Sequence, residues 1–369
     1  MTTILAERDL VHQRLCQWIG DDPRRLGVLA DLMVAIPLSR SVQGPDLAQH
    51  IIREVQDQSI LQMLRRFYAN EQISWERTYV PLVKQLVAQL DLPVYYLVMD
   101  TTEVGANHRA LVLSLAYHKR TLPLIWHLEP GNKGHTPEAI QVELLKRLYE
   151  HFQPPKPVIF LGDSEFDGVS VLGQLDRNGW YYVCRTSPSL VVYPDGDEAA
   201  SFSLGELVPA PGTPAQQRHN LRFTAKHGYG PLSCWACWEE PHPHPLILIY
   251  RLPPGWAPRP TYRPRFWTEP LFGDCKEGGF RLSTSHLQDA PRLSRLFLAV
   301  AAAYLWMVTL GVQAIYRGLA DLVDRSNRRT LSLFKTGWRF FKRQLKLGDL
   351  VALDFCFPPD FVLPPLKFF

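Results

Sequence analysis

The sequence predicts an α/β fold, in which a mixed β-sheet flanked by helices is interrupted by a β-rich insertion. A helical domain precedes this core and a helical region follows it. Three observations predict this arrangement. Up to about residue 90, apolar residues recur at helical spacing. From residue 94 to residue 185, short β-rich runs alternate with helical ones. Residues 188–258 then show only short strand-like runs between turns rich in Gly, Pro and Asp.

The N-terminal region is predicted to be a bundle of short helices. Leu26, Leu29 and Leu32 recur at helical spacing, and similar runs follow at 47–55 and 60–67. Short amphipathic helices joined by tight turns are typical of small DNA-binding domains, but the same pattern fits any other helical bundle. The spacing alone therefore leaves both interpretations open.

The middle of the chain predicts a sheet with helices between some of its strands. In chain order we expect strands at 94–100, 109–117 and 121–127, a helix at 136–151, a strand at 157–163, a helix at 169–178 and a strand at 180–185. The order β-β-β-α-β-α-β is typical of a mixed sheet covered by helices. After the insertion, residues 265–272 and 293–316 are also predicted to be helical.

Composition excludes several classes of protein. The 369 residues carry a net charge of +4 and are 46% hydrophobic and 21% charged, as in a globular rather than a disordered or coiled-coil protein. The six Cys are scattered and the first residues do not resemble a signal peptide, so we expect a reducing, cytoplasmic environment. The Cys234-x-x-Cys237 pair lacks the second pair that a zinc site needs.

The most apolar segment, 296–312, is shorter than the ~20 residues that span a bilayer. Its Ala and Gly residues suit close packing against other helices. We therefore predict a buried core helix here and expect no membrane partner.

Two carboxylates directly follow strand-like runs, Asp100 after the first and Asp163 after the fourth. If these strands are neighbours, the two side chains meet at one edge of the sheet and repel each other unless a cation lies between them. Mg²⁺ prefers such hard oxygen ligands. A third carboxylate would complete a two-metal site for attack on a phosphodiester, and Glu269 is the best candidate.

Glu269 belongs to a group of residues at helical spacing. Arg265, Glu269, Phe272 and Lys276 recur every three or four residues and would share one helix face, with cations beside the carboxylate for phosphates. Simpler interpretations exist for each feature. An Asp after a strand is often a turn residue, and an Arg–Glu pair four residues apart is often a solvated pair.

A longer motif resembles the signature of the DDE insertion-sequence transposases of the IS-four family. Its spacing here is Tyr262-x2-Arg265-x3-Glu269-x6-Lys276. The Asp100-Thr-Thr run, the Gly-Asp163-Ser-Glu-Phe run and the β-rich insertion before the glutamate agree with this resemblance, which covers roughly residues 25–345. The sequence departs from the family at Ser164, where relatives often have Arg. A second departure is Pro270, which could shift or kink the helix.

The resemblance implies an RNase H-like core with a metal-binding triad of Asp100, Asp163 and Glu269, which would hold two Mg²⁺ ions, with Mn²⁺ as a substitute. Phosphates near the transposon end would be contacted by Tyr262, Arg265 and Lys276. The implied activity is cut-and-paste transposition: metal-dependent cleavage at transposon ends, then strand transfer into target DNA by the freed 3′-OH. Transposon-end DNA and target DNA are the expected partners. We also expect a homodimer when assembled on DNA, and a cytoplasmic, nucleoid-associated location.

The basic C-terminal stretch offers a possible DNA-binding surface. Lys335, Arg339, Lys342 and Arg343 fall on one side of a predicted helix and could contact phosphates. The alternative is a solvated helix whose aromatic residues, among them Trp338, pack on the core.

The predicted organisation is a helical DNA-binding domain at 1–90, the first part of an RNase H-like core at 91–187, the β-rich insertion at 188–258, the second part of the core with the catalytic Glu at 259–317, and a basic helical C-terminal region with a Pro-rich tail at 318–369. Two other functions remain open. One is a metal-dependent nuclease that cuts but does not join. The other is a catalytically silent DNA-binding protein derived from a transposase.

Overall fold

The computed structural model describes residues 2–131, 134–223, 227–239 and 241–365, so the ends of the predicted N-terminal domain and C-terminal tail lie outside the described residues. The α-helices are α1 (Thr2–Trp18), α2 (Pro23–Ser39), α3 (Gly44–Ala48), α4 (Asp57–Ala69), α5 (Val80–Ala88), α6 (Glu138–His151), α7 (Val169–Arg177), α8 (Pro258–Tyr262), α9 (Thr268–Cys275), α10 (Ala290–Tyr316) and α11 (Leu333–Leu347). The strands are β1 (Tyr95–Val104), β2 (His108–Tyr117), β3 (Arg120–Pro130), β4 (Val158–Gly162), β5 (Tyr181–Arg185), β6 (Val191–Pro194), β7 (Phe202–Ser203), β8 (Gln216–Phe223), β9 (Tyr229–Cys237) and β10 (Leu246–Arg251).

Within the described part of the chain, ten strands form one mixed sheet in the order β3-β2-β1-β4-β5-β10-β9-β8-β6-β7. Strand β2 is antiparallel to β1 and β3, whereas β4 is parallel to β1 and β5 is parallel to β4. The strands of the predicted insertion extend this sheet, because β10 pairs antiparallel with β5. The insertion is therefore β-rich, as predicted, and shares the backbone hydrogen-bond ladder of the core.

The parallel pairing of β1 with β4 positions Asp100 and Asp163. Val98 of β1 lies opposite Leu161 of β4. Continuing this register by two residues places Asp100 opposite Asp163. Since successive side chains alternate between the two faces, both carboxylates belong to the face that carries Val98 and Leu161.

That face of the sheet carries a small apolar cluster. Leu248 and Tyr250 of β10 pack there with Val98, Leu161 and the buried ring of Tyr262 from α8. A 3₁₀-helical turn, Arg263–Trp267, directly follows α8. The anchored Tyr262 ring therefore holds this turn close to the ends of β1 and β4.

The opposite face of the sheet packs on α10, which also contacts the N-terminal helices. Helix α10 is long and apolar enough to cross a membrane, but 94% of its most apolar window is buried inside the protein. Trp126 of β3 donates a hydrogen bond to Ser294 Oγ (3.0 Å). Arg295 donates to the backbone oxygens of Tyr68 (2.8 Å) and Ile73 (3.1 Å). One apolar core therefore joins the N-terminal helices, α10 and the sheet.

Helix α11 crosses α10 at two glycines. A Cβ atom at Gly337 would lie 1.8 Å from the carbonyl oxygen of Met307, and one at Gly311 would lie 2.0 Å from that of Leu333. Only glycine allows the two backbones to approach so closely. The indole of Trp338 also donates a hydrogen bond to the Pro37 oxygen of α2 (2.7 Å), which fixes α11 against the N-terminal helices.

After α11 the chain returns to the N-terminal helices. The Val351 amide donates a hydrogen bond to Glu7 Oε2 (2.7 Å), and Phe355 stacks on Trp18 at 5.3 Å between ring centroids. Glu7 is fully buried, and this burial raises the pKa of its carboxyl to about 7, although the hydrogen bond from Val351 opposes the rise.

Candidate active site

Asp163 directly follows β4, as the sequence predicts, whereas β1 continues to Val104. The prediction that this strand ends at Asp100 is therefore wrong, and Asp100 lies within β1, two residues beyond the last residue that pairs with β4. Asp100 Oδ1 accepts a hydrogen bond from the Thr101 amide (3.0 Å). Asp163 follows β4 directly, and its Oδ1 accepts one from the Glu165 amide (2.9 Å), which closes the turn after the strand. In this turn a Cβ atom at Gly162 would lie 2.8 Å from Cβ of Phe166, so only glycine fits there.

A single guanidinium, that of Arg265, contacts all three candidate carboxylates. Its Nη2 donates hydrogen bonds to Asp163 Oδ2 (2.8 Å) and Asp100 Oδ1 (3.3 Å). Its Nη1 lies 3.9 Å from Glu269 Oε1. The Arg265 side chain is only 13% exposed, whereas that of Glu269 is 66% exposed. The structure thus gathers Asp100, Asp163 and Glu269 around one buried cation.

Burial and charge determine the electrostatics of this cluster. The pKa of Asp100 is raised to about 6, chiefly by desolvation. Of the neighbouring charges, Arg265 lowers this pKa and the Asp163 carboxylate raises it. Desolvation also disfavours the charged form of Arg265, but the carboxylates outweigh this effect and raise the guanidinium pKa above its ordinary value. The three ionised carboxylates carry three negative charges and Arg265 balances one of them.

This donor set suits a divalent cation, because hard carboxylate oxygens converge there with uncompensated negative charge. Within the described ranges, however, no three His, Cys, Asp or Glu side chains stand in an arrangement that could hold a metal ion. The reason is local: the Arg265 guanidinium lies between the carboxylates, and the Glu269 side chain extends toward solvent. Asp100, Asp163 and Glu269 are the residues that would hold Mg²⁺ or Mn²⁺.

The predicted continuous helix through the signature is wrong. Arg265 lies in the 3₁₀-helical turn Arg263–Trp267, and only then does α9 begin at Thr268. Pro264 and Pro270 lack the backbone donors that a continuous α-helix would need. Lys276 follows the last residue of α9 with φ −92° and ψ −134°, outside the helical region. The four residues therefore do not share one helix face.

Of the other two signature residues, Tyr262 lies close enough to Arg265 and Asp163 to interact with their charges, whereas Lys276 is next to Glu103. Tyr262 is 2% exposed, and its burial raises the pKa of its hydroxyl well above the ordinary value. Lys276 is half-buried; desolvation lowers the pKa of its ammonium, and the nearby Glu103 carboxylate opposes this effect. Tyr262 thus anchors α8 on the sheet. The phosphate contacts expected of Tyr262 and Lys276 remain predictions.

A basic cavity adjoins the signature. It has a volume of about 780 Å³ and lies between α8, the 3₁₀-helical turn and the start of β10. Its lining includes the side chains of Arg185, Arg259 and Arg263, together with the 48% exposed ring of Phe266. Phe266 directly follows Arg265, so this basic, partly aromatic cavity is next to the carboxylate cluster.

The four cations predicted to form a stripe are exposed on α11: Lys335, Arg339, Lys342 and Arg343. Phe341 on the opposite side is fully buried and Trp338 is 9% exposed. The Trp338 ring lies below Lys342 (5.7 Å from Nζ to the ring centroid) and below Arg40 of the N-terminal region (4.9 Å from Cζ). The aromatic side of α11 therefore packs inward and the cationic side faces solvent.

Sequence reasoning assigned no role to Glu165, which supports the turn that carries Asp163. Glu165 Oε1 accepts a hydrogen bond from the Thr136 amide (2.7 Å), and its backbone oxygen accepts one from Gln141 Nε2 (3.4 Å). These contacts tie the turn after β4 to the start of α6. Glu165 is part of the Gly-Asp-Ser-Glu run in the sequence. Its partners Thr136 and Gln141 are distant in sequence, so no local spacing pattern predicts these contacts.

Comparison with known proteins places the chain in a family. No curated protein sequence matches it. A solved structure of a piggyBac transposase synaptic complex with hairpin DNA resembles it at 11% sequence identity, with a TM-score of 0.47, over 94% of this chain and 77% of that one. Residues 98–306, more than half of the chain, match the family model of the transposase DDE domain, and this range includes Asp100, Asp163 and Glu269. The chain belongs to the family of proteins with a transposase DDE domain.

Proposed function

We propose that this protein is a cut-and-paste DNA transposase, which cleaves DNA at transposon ends and transfers the freed 3′ ends into target DNA. The observation that carries the proposal is the meeting of Asp100, Asp163 and Glu269 around Arg265, within the segment that matches the transposase DDE domain. We place the chain in the IS-four group because of its signature spacing. The strand order β3-β2-β1-β4-β5 supports an RNase H-like core.

In this proposal Asp100, Asp163 and Glu269 would hold two divalent ions, Mg²⁺ or Mn²⁺, which when bound would supply stabilisation of the charge that develops on the phosphate during in-line attack. The turn after β4, braced by Glu165, keeps Asp163 beside Asp100. Arg265 and the arginines of the adjoining basic cavity bind phosphates of the transposon end. No side chain forms a covalent bond to DNA.

DNA outside the active site lies along the cationic side of α11. Its lysines and arginines contact backbone phosphates, which gives affinity without sequence preference. We further propose that the protein assembles as a homodimer on DNA, because both ends of an element must be cut and joined together. Its location is the cytoplasm, in contact with nucleoid DNA.

A transposition assay tests the function. A plasmid carries the coding sequence between its own flanking DNA, and purified protein is added with Mg²⁺. We expect excised fragments with 3′-OH ends and, on sequencing, joined products in a second plasmid. Asp100→Asn, Asp163→Asn and Glu269→Gln should each abolish both products, while DNA affinity stays within a few-fold, because phosphate contacts supply most of it.

The matched control is Glu103→Gln, which removes an exposed carboxylate from the same strand as Asp100. This variant should retain cleavage and joining. Near-normal cleavage by any triad variant would remove that residue from the proposed site. Cleavage without joined products would instead identify a nuclease, and DNA binding without cleavage by the wild type would identify a silent DNA-binding protein.

A further inference from the structure

Arg265 lies where the carboxylate cluster would receive a metal ion. Its guanidinium is within 4 Å of oxygens from Asp100, Asp163 and Glu269. The separation of the Asp100 and Asp163 oxygens cannot exceed the sum of their distances to the shared Nη2 atom, 3.3 Å and 2.8 Å. A divalent ion bonded to the same oxygens at about 2.0–2.1 Å would therefore lie within a few Å of the guanidinium.

Two cations at such a short distance exclude one another. Like charges repel strongly where burial reduces screening by water, and the Arg265 side chain is 13% exposed. The guanidinium also lies against Asp100 Oδ1 and Asp163 Oδ2, the oxygens that a metal ion bridging the two carboxylates on this side would contact. Metal binding to these carboxylates and the present position of Arg265 are therefore competing states.

The present position of Arg265 leaves part of its guanidinium without a partner. In the described part of the chain, the buried Nε atom has no hydrogen-bond partner, although both Nη atoms face carboxylates. An unsatisfied buried donor carries a free-energy penalty. The present position of Arg265 is therefore less favourable than one in which the whole guanidinium is hydrogen-bonded.

The basic cavity lies beside the turn that carries Arg265. Its lining includes Arg263 and Phe266 of the same turn, and Arg259, which pairs with Glu239. A DNA phosphate in this cavity offers bidentate acceptors that match a guanidinium, and Arg–phosphate pairs are among the strongest charge-assisted hydrogen bonds. Phosphate there would draw Arg265 away from the carboxylates.

We propose that Arg265 couples DNA binding to metal binding. Without DNA its guanidinium pairs with Asp100 and Asp163 and opposes metal entry; with DNA it moves to a phosphate and leaves the carboxylates to the metal. This inference rests on the proposed function, because it requires a metal site at the triad. Its consequence is that the protein assembles a competent metal site only on DNA, which limits hydrolysis of other phosphodiesters.

Mn²⁺ binding, measured by electron paramagnetic resonance of the unbound ion, tests the coupling without an activity readout. In the absence of DNA, Arg265→Gln should bind Mn²⁺ more tightly than wild type, by about 5- to 150-fold, the usual range of coupling between sites. Adding a duplex from the protein's own flanking DNA should tighten Mn²⁺ binding to wild type by a similar factor and have little effect on Arg265→Gln. Lys156→Gln, which removes an exposed positive charge outside the carboxylate cluster and the basic cavity, should behave as wild type does.

A measurement on the wild type alone keeps the test valid if Arg265→Gln fails to fold. Coupling is reciprocal, so Mn²⁺ should tighten DNA binding by the same factor by which DNA tightens Mn²⁺ binding. Equal Mn²⁺ affinity with and without DNA would overturn the proposed coupling and leave the transposase function intact. If DNA-bound wild type does not bind Mn²⁺, or binds it equally well after Asp100→Asn, the metal site itself is wrong and the proposed function fails with it.

Discussion

The cationic side of α11 gives a quantitative prediction about DNA affinity. Replacing Lys335, Arg339, Lys342 and Arg343 by Gln removes four exposed positive charges without reaching the carboxylate cluster. If each contacts one phosphate, the slope of log affinity against log salt concentration should become shallower by about 3.6, that is, about 0.9 for each lost contact on duplex DNA. Between 50 and 200 mM salt, wild type should then lose about 150-fold more affinity than the variant.

Fluorescence anisotropy with random-sequence duplexes at several salt concentrations measures this slope, because backbone contacts carry no base information. A charge-matched control replaces four exposed cations elsewhere by Gln: Lys84, Lys146, Lys156 and Arg177. The control should keep the wild-type slope. Equal slopes of log affinity against log salt concentration for the α11 variant and wild type would refute the reasoning. They would indicate that α11 is a solvated surface helix that does not contact DNA.

Three further predictions concern stability, measured by urea unfolding. Burial raises the pKa of Glu7 from 4.5 to about 7, so between these pH values the folded state holds a proton that the unfolded state releases. The free energy of unfolding should therefore fall by about 3 kcal/mol from pH 4.5 to pH 7. Glu7→Gln should remove this decrease. Gly337→Ala places a methyl group 1.8 Å from the Met307 oxygen and should cost about 3 kcal/mol or more, whereas Gly173→Ala, with ordinary contacts at 3.7 Å, should be neutral or slightly stabilising. Trp338→Ala should cost about 3–5 kcal/mol and leave the salt slope of DNA binding nearly unchanged, because the ring is buried beneath the cations.

Local patterns were sufficient to predict the core of the fold. Each predicted strand and helix between residues 94 and 185 exists, and Asp163 follows β4 as expected, although β1 continues past the predicted end at Asp100 to Val104. The alternating or helical spacing of apolar residues reflects which side chains are buried, so it can be recognised in a single sequence. The order of strands in the sheet depends on pairings between distant segments, which explains why the sequence did not predict that β10 joins β5.

The site was predictable in its residue types and less so in its geometry. The i, i+4 spacing of Arg265 and Glu269 predicted an ion pair, and the two side chains are paired at 3.9 Å, although Arg265 lies in a 3₁₀-helical turn and Glu269 in α9. The same turn also brings Arg265 to two carboxylates more than 100 residues away in sequence. Spacing rules describe neighbours on one element, so they could not predict a contact that depends on the packing of α8 against the sheet.

The contact of Arg295 with the backbone of Tyr68 and Ile73 bears on which changes to the N-terminal helices the fold can accept. The N-terminal helices bury their apolar faces against α10, which in turn covers the sheet. Exchanging these helices for those of a relative would expose α10 or create mismatched packing, with aggregation as the outcome. Substitutions on the solvent side of helices that stay in place preserve this packing, whereas transfer of the helices as a module does not.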